Sequence, residues 1–157
     1  MSNARGGVWS RGHGVTLVPF DGPLNEGLAQ ALRDGVERGY EGDPPVAPPG
    51  TICMAVRVGG TNVGLLAFER DRPSQGAVIV HVIAIDPDQR GNAYGTHTLF
   101  VAERRLRREG VDAFFARVPR TNGRGLYFML RAGYTPITPP AAPTDDDGAT
   151  WFRRFEG

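Results

Sequence analysis

The chain contains no lysine: all 18 of its basic side chains are arginine. Set against 17 acidic residues they leave a formal net charge of +1, so no global field draws the chain toward nucleic acid or an anionic membrane. One cysteine, Cys53, excludes an internal disulfide and fits a reducing compartment. No apolar run approaches the roughly 20 residues that a bilayer span needs. The glycine- and arginine-rich N-terminus has no apolar signal-peptide core, so a cytoplasmic protein with no membrane partner is expected. There is no internal repeat. With 22 glycines, 13 prolines and arginine as its sole strong base, the composition points to a high-GC bacterial genome.

What is present is 157 residues, 40% of them apolar and 22% charged, enough for one domain with its own core. Residues 1–14 read as a flexible tail and 15–157 as the domain. Strands are expected over 15–20, 51–58, 62–70, 77–85, 112–118, 135–137 and 150–155, from short β-branched or alternating runs between turn residues. Leu24, Leu28, Ala31, Leu32 and Val36 recur at helical spacing, and a second helix is expected over 95–109 with Leu99, Val101, Ala102 and Leu106 toward the sheet. Gly110 closes that helix, and a short third helix runs from Asn122 to Gly133. Proline-dense 42–50 continues neither helix nor strand. Strands first and then strand-helix-strand-helix give a mixed α/β domain.

The organising stretch is Val78 to Gly95. An apolar strand, implying burial on both faces, empties at Asp86-Pro87 into Arg90-Gly91-Asn92-Ala93-Tyr94-Gly95, and Thr96 opens the second helix. Successive backbone N–H groups and the positive end of a helix dipole make such a loop an anion site, which predicts a phosphorylated cofactor. On the preceding strand His81 interrupts the apolar run. Strict alternation places it on the face of Ile83.

The same loop resembles the acyl-CoA loop of the GNAT superfamily of N-acyltransferases, Arg/Gln-x-x-Gly-x-Gly/Ala. Arg90, Tyr94 and Gly95 stand in register, and Ala93 takes the place of a glycine. Asn122 to Tyr134 resembles the family's second cofactor segment, Asn-x-x-Ala-x-x-Phe-Tyr-x-Lys-x-Gly-Phe. There Asn122, Phe128, Arg131, Gly133 and Tyr134 match and Gly125 stands at the alanine. The resemblance implies a mostly antiparallel twisted sheet of about six or seven strands, about four helices, and a splayed parallel strand pair at the cofactor groove.

It further implies acetyl-CoA as co-substrate, no metal, and a small-molecule or protein amine as acceptor. Arg90, Gly91, Asn92, Ala93, Tyr94, Gly95 and Thr96 would hold the pyrophosphate. Ile83, Ala84 and Ile85 would border the thioester, Asn122 would bond the pantetheine arm, and Met129 would stand with them among the cofactor-binding residues. The prolines of 42–50 would lie near the acceptor entrance. Family members often dimerise through terminal strands, which makes a homodimer an expectation of the same kind.

The chemistry needs a base, because an ammonium has no lone pair. His81 is one candidate, against a core histidine satisfied by a carbonyl; Glu69 is another, against a solvated strand-end carboxylate. The family's usual acid, a tyrosine, is replaced in register by Met129. Tyr127 lies two positions earlier, about 200° around a helix, and would serve as acid only on a re-registered helix; otherwise it packs against the sheet. His97 reads as a surface or phosphate neighbour, and Cys53 as a buried strand residue without activation. Arg104, Arg105, Arg107 and Arg108, with Glu103 and Glu109 between them, read as a solvated helix face and not as a nucleic-acid patch. Asp145 to Asp147 would either attract a cationic acceptor or form an acidic turn. Two functions stay open: an acetyl-CoA-dependent N-acetyltransferase, or an acyl-CoA-binding module that has lost turnover.

Overall fold

The computed structural model describes residues 7–45, 48–139 and 148–155. Eight strands form one sheet: β1 (Ser10–Gly12), β2 (Val15–Pro19), β3 (Ile52–Val58), β4 (Thr61–Arg70), β5 (Ala77–Ile85), β6 (Ala113–Pro119), β7 (Tyr134–Ile137) and β8 (Ala149–Arg154), in the order β1-β2-β3-β4-β5-β6-β8-β7. Three α-helices accompany them: α1 (Glu26–Asp34), α2 (Tyr94–Arg108) and α3 (Gly123–Arg131), with a 3-10 turn over Pro87–Gln89. All pairings are antiparallel except β5 with β6. The mixed α/β class and the parallel pair are as expected; among the described residues there is one strand more than expected, and there are three α-helices where the resemblance implied about four.

The extra strand comes from the segment read as a flexible tail. Ser10 pairs with Leu17, its Oγ donates to the Val101 carbonyl at 3.1 Å, and Arg104 Nη2 donates to Arg11 O at 2.6 Å. Trp9 stacks on Phe68 at 5.5 Å, with the Arg105 guanidinium 5.5 Å from its ring centroid. A glycine- and arginine-rich run is thus fastened by helix side chains that its own composition does not foreshadow. Residues 1–6 lie outside the described residues.

The core has two sides. Leu99, Val101, Ala102 and Leu106 of α2, with Met129 of α3, pack on Leu66, Phe68, Val78, Val80 and Phe114. On the opposite face Leu28, Ala31 and Leu32 of α1 cover Leu65 and Ala84. Each helix presents one apolar stripe, as the 3.6-residue period requires.

Glu103 departs from the solvated face expected for it: it is only 3% exposed. Tyr134 donates its hydroxyl to this carboxylate at 2.6 Å, and Arg154 Nε lies 2.8 Å away. Arg154 also donates to the Ala132 carbonyl at 2.9 Å. Burial, and then the adjacent carboxylate, push the Tyr134 hydroxyl well above its ordinary pKa of 10.0. This group pins α2 to the end of α3 and to β7 and β8.

Candidate functional site

The site is organised by a parting of strands. The β5–β6 ladder runs from Ala77↔Ala113 to Val80↔Ala116 and stops there, although β5 continues to Ile85 and β6 to Pro119. Beyond Val80, therefore, the β6-facing backbone edge of β5 opens onto a fork instead of a neighbouring strand. On its other edge β5 carries a bulge. Val80 faces Phe68 and Val82 faces Ala67, which leaves His81 as the extra residue.

The bulge resets the alternation and corrects the expected placement of His81. Ile83 packs into the α2 side of the core, whereas Val82 and Ala84 pack with α1. His81 does not share the face of Ile83. It turns to Glu69, which faces Ile79 across the ladder, and its Nε2 lies 3.0 Å from Glu69 Oε1. The two side chains are 12% and 17% exposed, so Glu69 is not the solvated strand-end carboxylate that its position suggests. The other oxygen, Oε2, is 3.4 Å from Nη1 of Arg72, a largely exposed side chain. An ionised carboxylate only accepts, so this contact assigns the ring proton to Nε2 and leaves the Nδ1 lone pair available as a base.

The loop 90–96 forms the second part. Gly91 has φ +93° and Ala93 φ +62°, so both sit in the left-handed region. Ala93 is the N-cap of α2 and supplies no side-chain hydrogen bond; the first helix bond runs from His97 N to Ala93 O. The amides at the helix start therefore have no intrahelical acceptor. Gly95 lies close under α3: a Cβ there would be 3.1 Å from the Phe128 ring, which would have to shift by a few tenths of an ångström. Arg90 extends to α1, its Nη2 3.2 Å from Asp34 Oδ2. This loop borders a cleft of about 600 Å³ that also touches Ile83, Ala84, Ile85, Asn122 and Tyr127.

A smaller cavity of about 330 Å³ continues from the cleft, sharing Ile83, Ala84, Asn122, Gly125 and Phe128 with it. His81 and Met129 border this second space, as do Pro45 and Pro48 from the proline-dense loop. Asn122 caps α3 by accepting from Gly125 N at 2.9 Å. At residue 125 the alanine expected in register would force the Asn122 side chain to move, because a Cβ would approach its Nδ2 to 2.4 Å and Val118 Cγ1 to 3.0 Å.

Met129 is 4% exposed and carries no proton to give. Tyr127 neither packs against the sheet nor joins His81. It is 62% exposed, borders the larger cleft, and has the Arg131 guanidinium 5.6 Å from its ring centroid. His97 stacks on His13 at 5.2 Å and is not among the residues bordering either space. Burial raises the Cys53 thiol pKa, which agrees with an inert strand cysteine. The Asp145 to Asp147 run lies outside the described residues. Sequence reading missed Asp34 and Arg124; both border the cleft, and only the fold brings Asp34 to Arg90, 56 positions away. Among the described residues no cluster of metal-ligating side chains occurs, and no helix is long and apolar enough to cross a membrane.

The same architecture recurs in known proteins. The chain aligns over its whole core with the GNAT domain of S. lividans PAT (TM-score 0.64, 15% identity, 92% of this chain and 96% of that one). It also aligns with an acetyltransferase from Thermus thermophilus (0.61, 19%, 89% and 96%). PaiA N-acetyltransferase from Thermoplasma acidophilum, solved in complex with coenzyme A, matches at 0.54 with 14% identity, over 67% of this chain and 60% of that one. At these identities the likeness is one of fold. No curated protein sequence matches the chain. Residues 25–134, which run from the cap of α1 through the loop 90–96 and the segment 122–134, match the model of the acetyltransferase (GNAT) family, and the chain belongs to that family.

Proposed function

We propose that the chain moves an acetyl group from acetyl-CoA to a primary amine by direct attack in a ternary complex. The observation that carries this reading is the His81–Glu69 pair, seated on a bulge where β5 and β6 part and bordering a cavity continuous with the loop cleft. The residues fit the co-substrate: uncapped helix amides and two left-handed residues form a cradle for a diphosphate.

Residues 90–96 hold the pyrophosphate. The open edge of β5 over Ile83, Ala84 and Ile85 offers backbone donors to the pantetheine amides and to the thioester oxygen. Asn122 uses Oδ1 for its cap, which leaves Nδ2 for the pantetheine arm. Acyl-CoA supplies an activated acyl carbon and a sulfur leaving group. As the amine forms its bond to that carbon and the carbon–sulfur bond breaks, His81 Nδ1 takes the amine proton, directly or through water, and Glu69 steadies the resulting imidazolium. Met129 provides no acid. A thiol of ordinary pKa about 8.5 leaves without one near neutral pH, more slowly than with one.

Met129 favours a second reading, an acyl-CoA-binding protein without turnover. Calorimetry with coenzyme A followed by thiol release across small-molecule, peptide and aminoglycoside amines separates the two. Amine-dependent release that falls at least about 100-fold in His81→Ala supports transfer. Tight binding with no release from any amine class supports the binding protein and sinks the enzyme.

A further inference from the structure

The cleft beside the loop holds more positive charge than a pyrophosphate requires. Arg90, Arg124 and Arg131 border it, against the single carboxylate of Asp34 among the described residues that do so. In a chain whose net charge is only +1, three guanidiniums converging on one cleft are a local feature and not a reflection of composition. Arg90 is engaged with Asp34 at 3.2 Å. Arg124 and Arg131 have no such tie to it.

These two arginines stand with Tyr127 at positions i, i+3 and i+7 of α3, one stripe of the helix, and all three border the cleft. Tyr127 is the most exposed large apolar side chain among the described residues, at 62%. An aromatic ring left in water at the rim of a cationic cleft is a stacking platform for a base. The guanidinium of Arg131, 5.6 Å from the ring centroid, sets a cation beside that platform.

We infer that Arg124, Tyr127 and Arg131 form a nucleotide subsite, in which Tyr127 stacks the adenine of coenzyme A and the two guanidiniums take its ribose 3′-phosphate. The subsite deepens the coenzyme A reading given above and rests on it. The pyrophosphate is met by the backbone of residues 90–96, whose donors point at one anion. A phosphate on the ribose needs separate donors, and paired guanidiniums are the side chains suited to it. The chain would thereby discriminate coenzyme A from its 3′-dephospho precursor at the binding step, and Tyr127 would have a role unrelated to proton transfer.

The test is calorimetry on the native chain with coenzyme A, 3′-dephospho-coenzyme A and adenosine 3′,5′-bisphosphate. We expect dephospho-coenzyme A to bind at least about tenfold more weakly than coenzyme A, the scale of a lost charge-assisted hydrogen bond. The bisphosphate should compete with coenzyme A. The double variant R124Q/R131Q should bring coenzyme A down to the affinity of the dephospho form and leave the latter nearly unchanged. Tyr127→Ala should weaken both ligands by a similar factor, about tenfold. Equal affinity of the native chain for the two coenzymes, or discrimination that survives in the double variant, overturns the subsite while the acyltransferase reading stands. No heat with coenzyme A itself is a different result: it removes that reading, and the subsite with it.

Discussion

Replacing Glu69 with glutamine tests whether the His81–Glu69 contact is part of the chemistry. The substitution keeps shape and removes charge. Arg72 is the other partner of Glu69, but at 3.4 Å and 65% exposed it is a surface pair worth at most about 1 kcal/mol. The His81 contact is 3.0 Å long between side chains 12% and 17% exposed, so water screens it less. Its value differs along the reaction: while the imidazole is neutral it is an ordinary hydrogen bond, and once His81 takes a proton it becomes an ion pair. Hydrogen bonds to a charged partner contribute about 1.5–3 kcal/mol, and neutral ones about 0.5–1.5 kcal/mol. The difference, about 1–1.5 kcal/mol and up to about 2.5, converts to a fall in kcat of roughly 5- to 70-fold.

The assay is steady-state thiol release with a saturating accepted amine, on Glu69→Gln, His81→Ala and the double variant. His81→Ala should cost about 10²- to 10⁴-fold, the usual scale for a general base. Adding Glu69→Gln to it should cost little more, because the carboxylate acts only through the imidazole. The KM for acetyl-CoA should move little in any of them, since neither residue borders the cleft beside residues 90–96. If Glu69→Gln costs the same factor with and without His81, the two are independent and the coupling argued from the bulge is wrong.

Three further outcomes follow from the rest of the fold. Ala93→Gly should stabilise the chain by about 1 kcal/mol in urea unfolding, because residue 93 sits at φ +62° and a Cβ is penalised there; a loss of stability would show that the left-handed turn is not maintained in solution. Glu103→Gln should cost about 3–5 kcal/mol, since Tyr134 and Arg154 would be left around a neutral group in a buried site; a cost under about 1 kcal/mol would place the carboxylate in water. Stability should also fall on the alkaline side. Tyr134 and Cys53 both have folded pKa values raised by burial, so the folded state holds protons that the unfolded state has released. Their contribution is complete below the unfolded values, about 9 to 10, and is lost as pH rises beyond them, by at most about 1.4 kcal/mol per pH unit for each group. Tyr134→Phe should flatten the part of the slope above about pH 10 in pH-dependent thermal melts.

Much of this architecture was legible because local chemistry and tertiary context agreed. The loop 90–96 announced itself through an apolar strand that empties into a glycine-bearing loop at a helix start. The stripe Leu99, Val101, Ala102 and Leu106 settled the buried face of α2. What escaped depended on partners far away in sequence. The strand Ser10–Gly12 exists because Val101, Arg104 and Arg105 reach across to it, about 90 positions later. Glu103, flanked by arginines, has the local signature of a solvated face. It is buried because Tyr134 and Arg154 arrive from β7 and β8 to satisfy it.

The misplacement of His81 has a more general cause. Side-chain alternation in a strand has a period of two only while the ladder is unbroken, and a single unpaired residue reverses every position after it. In β5 that residue is the histidine. Up to Val80 the even positions face α2; after His81 they face α1, and Ile83 takes the α2 side. Nothing in Val-Ile-Val-His-Val-Ile-Ala-Ile marks the bulge, because its cause lies in the pairing of Ala67 and Phe68 with residues one step too far apart. The same irregularity does two things. It turns the imidazole to Glu69, and it interrupts the ladder on one edge of β5 at the level where β6 departs on the other. The proposed base and the opening in the sheet therefore stand at one level of β5, one residue apart: the β6 ladder stops at Val80 and the unpaired residue on the other edge is His81.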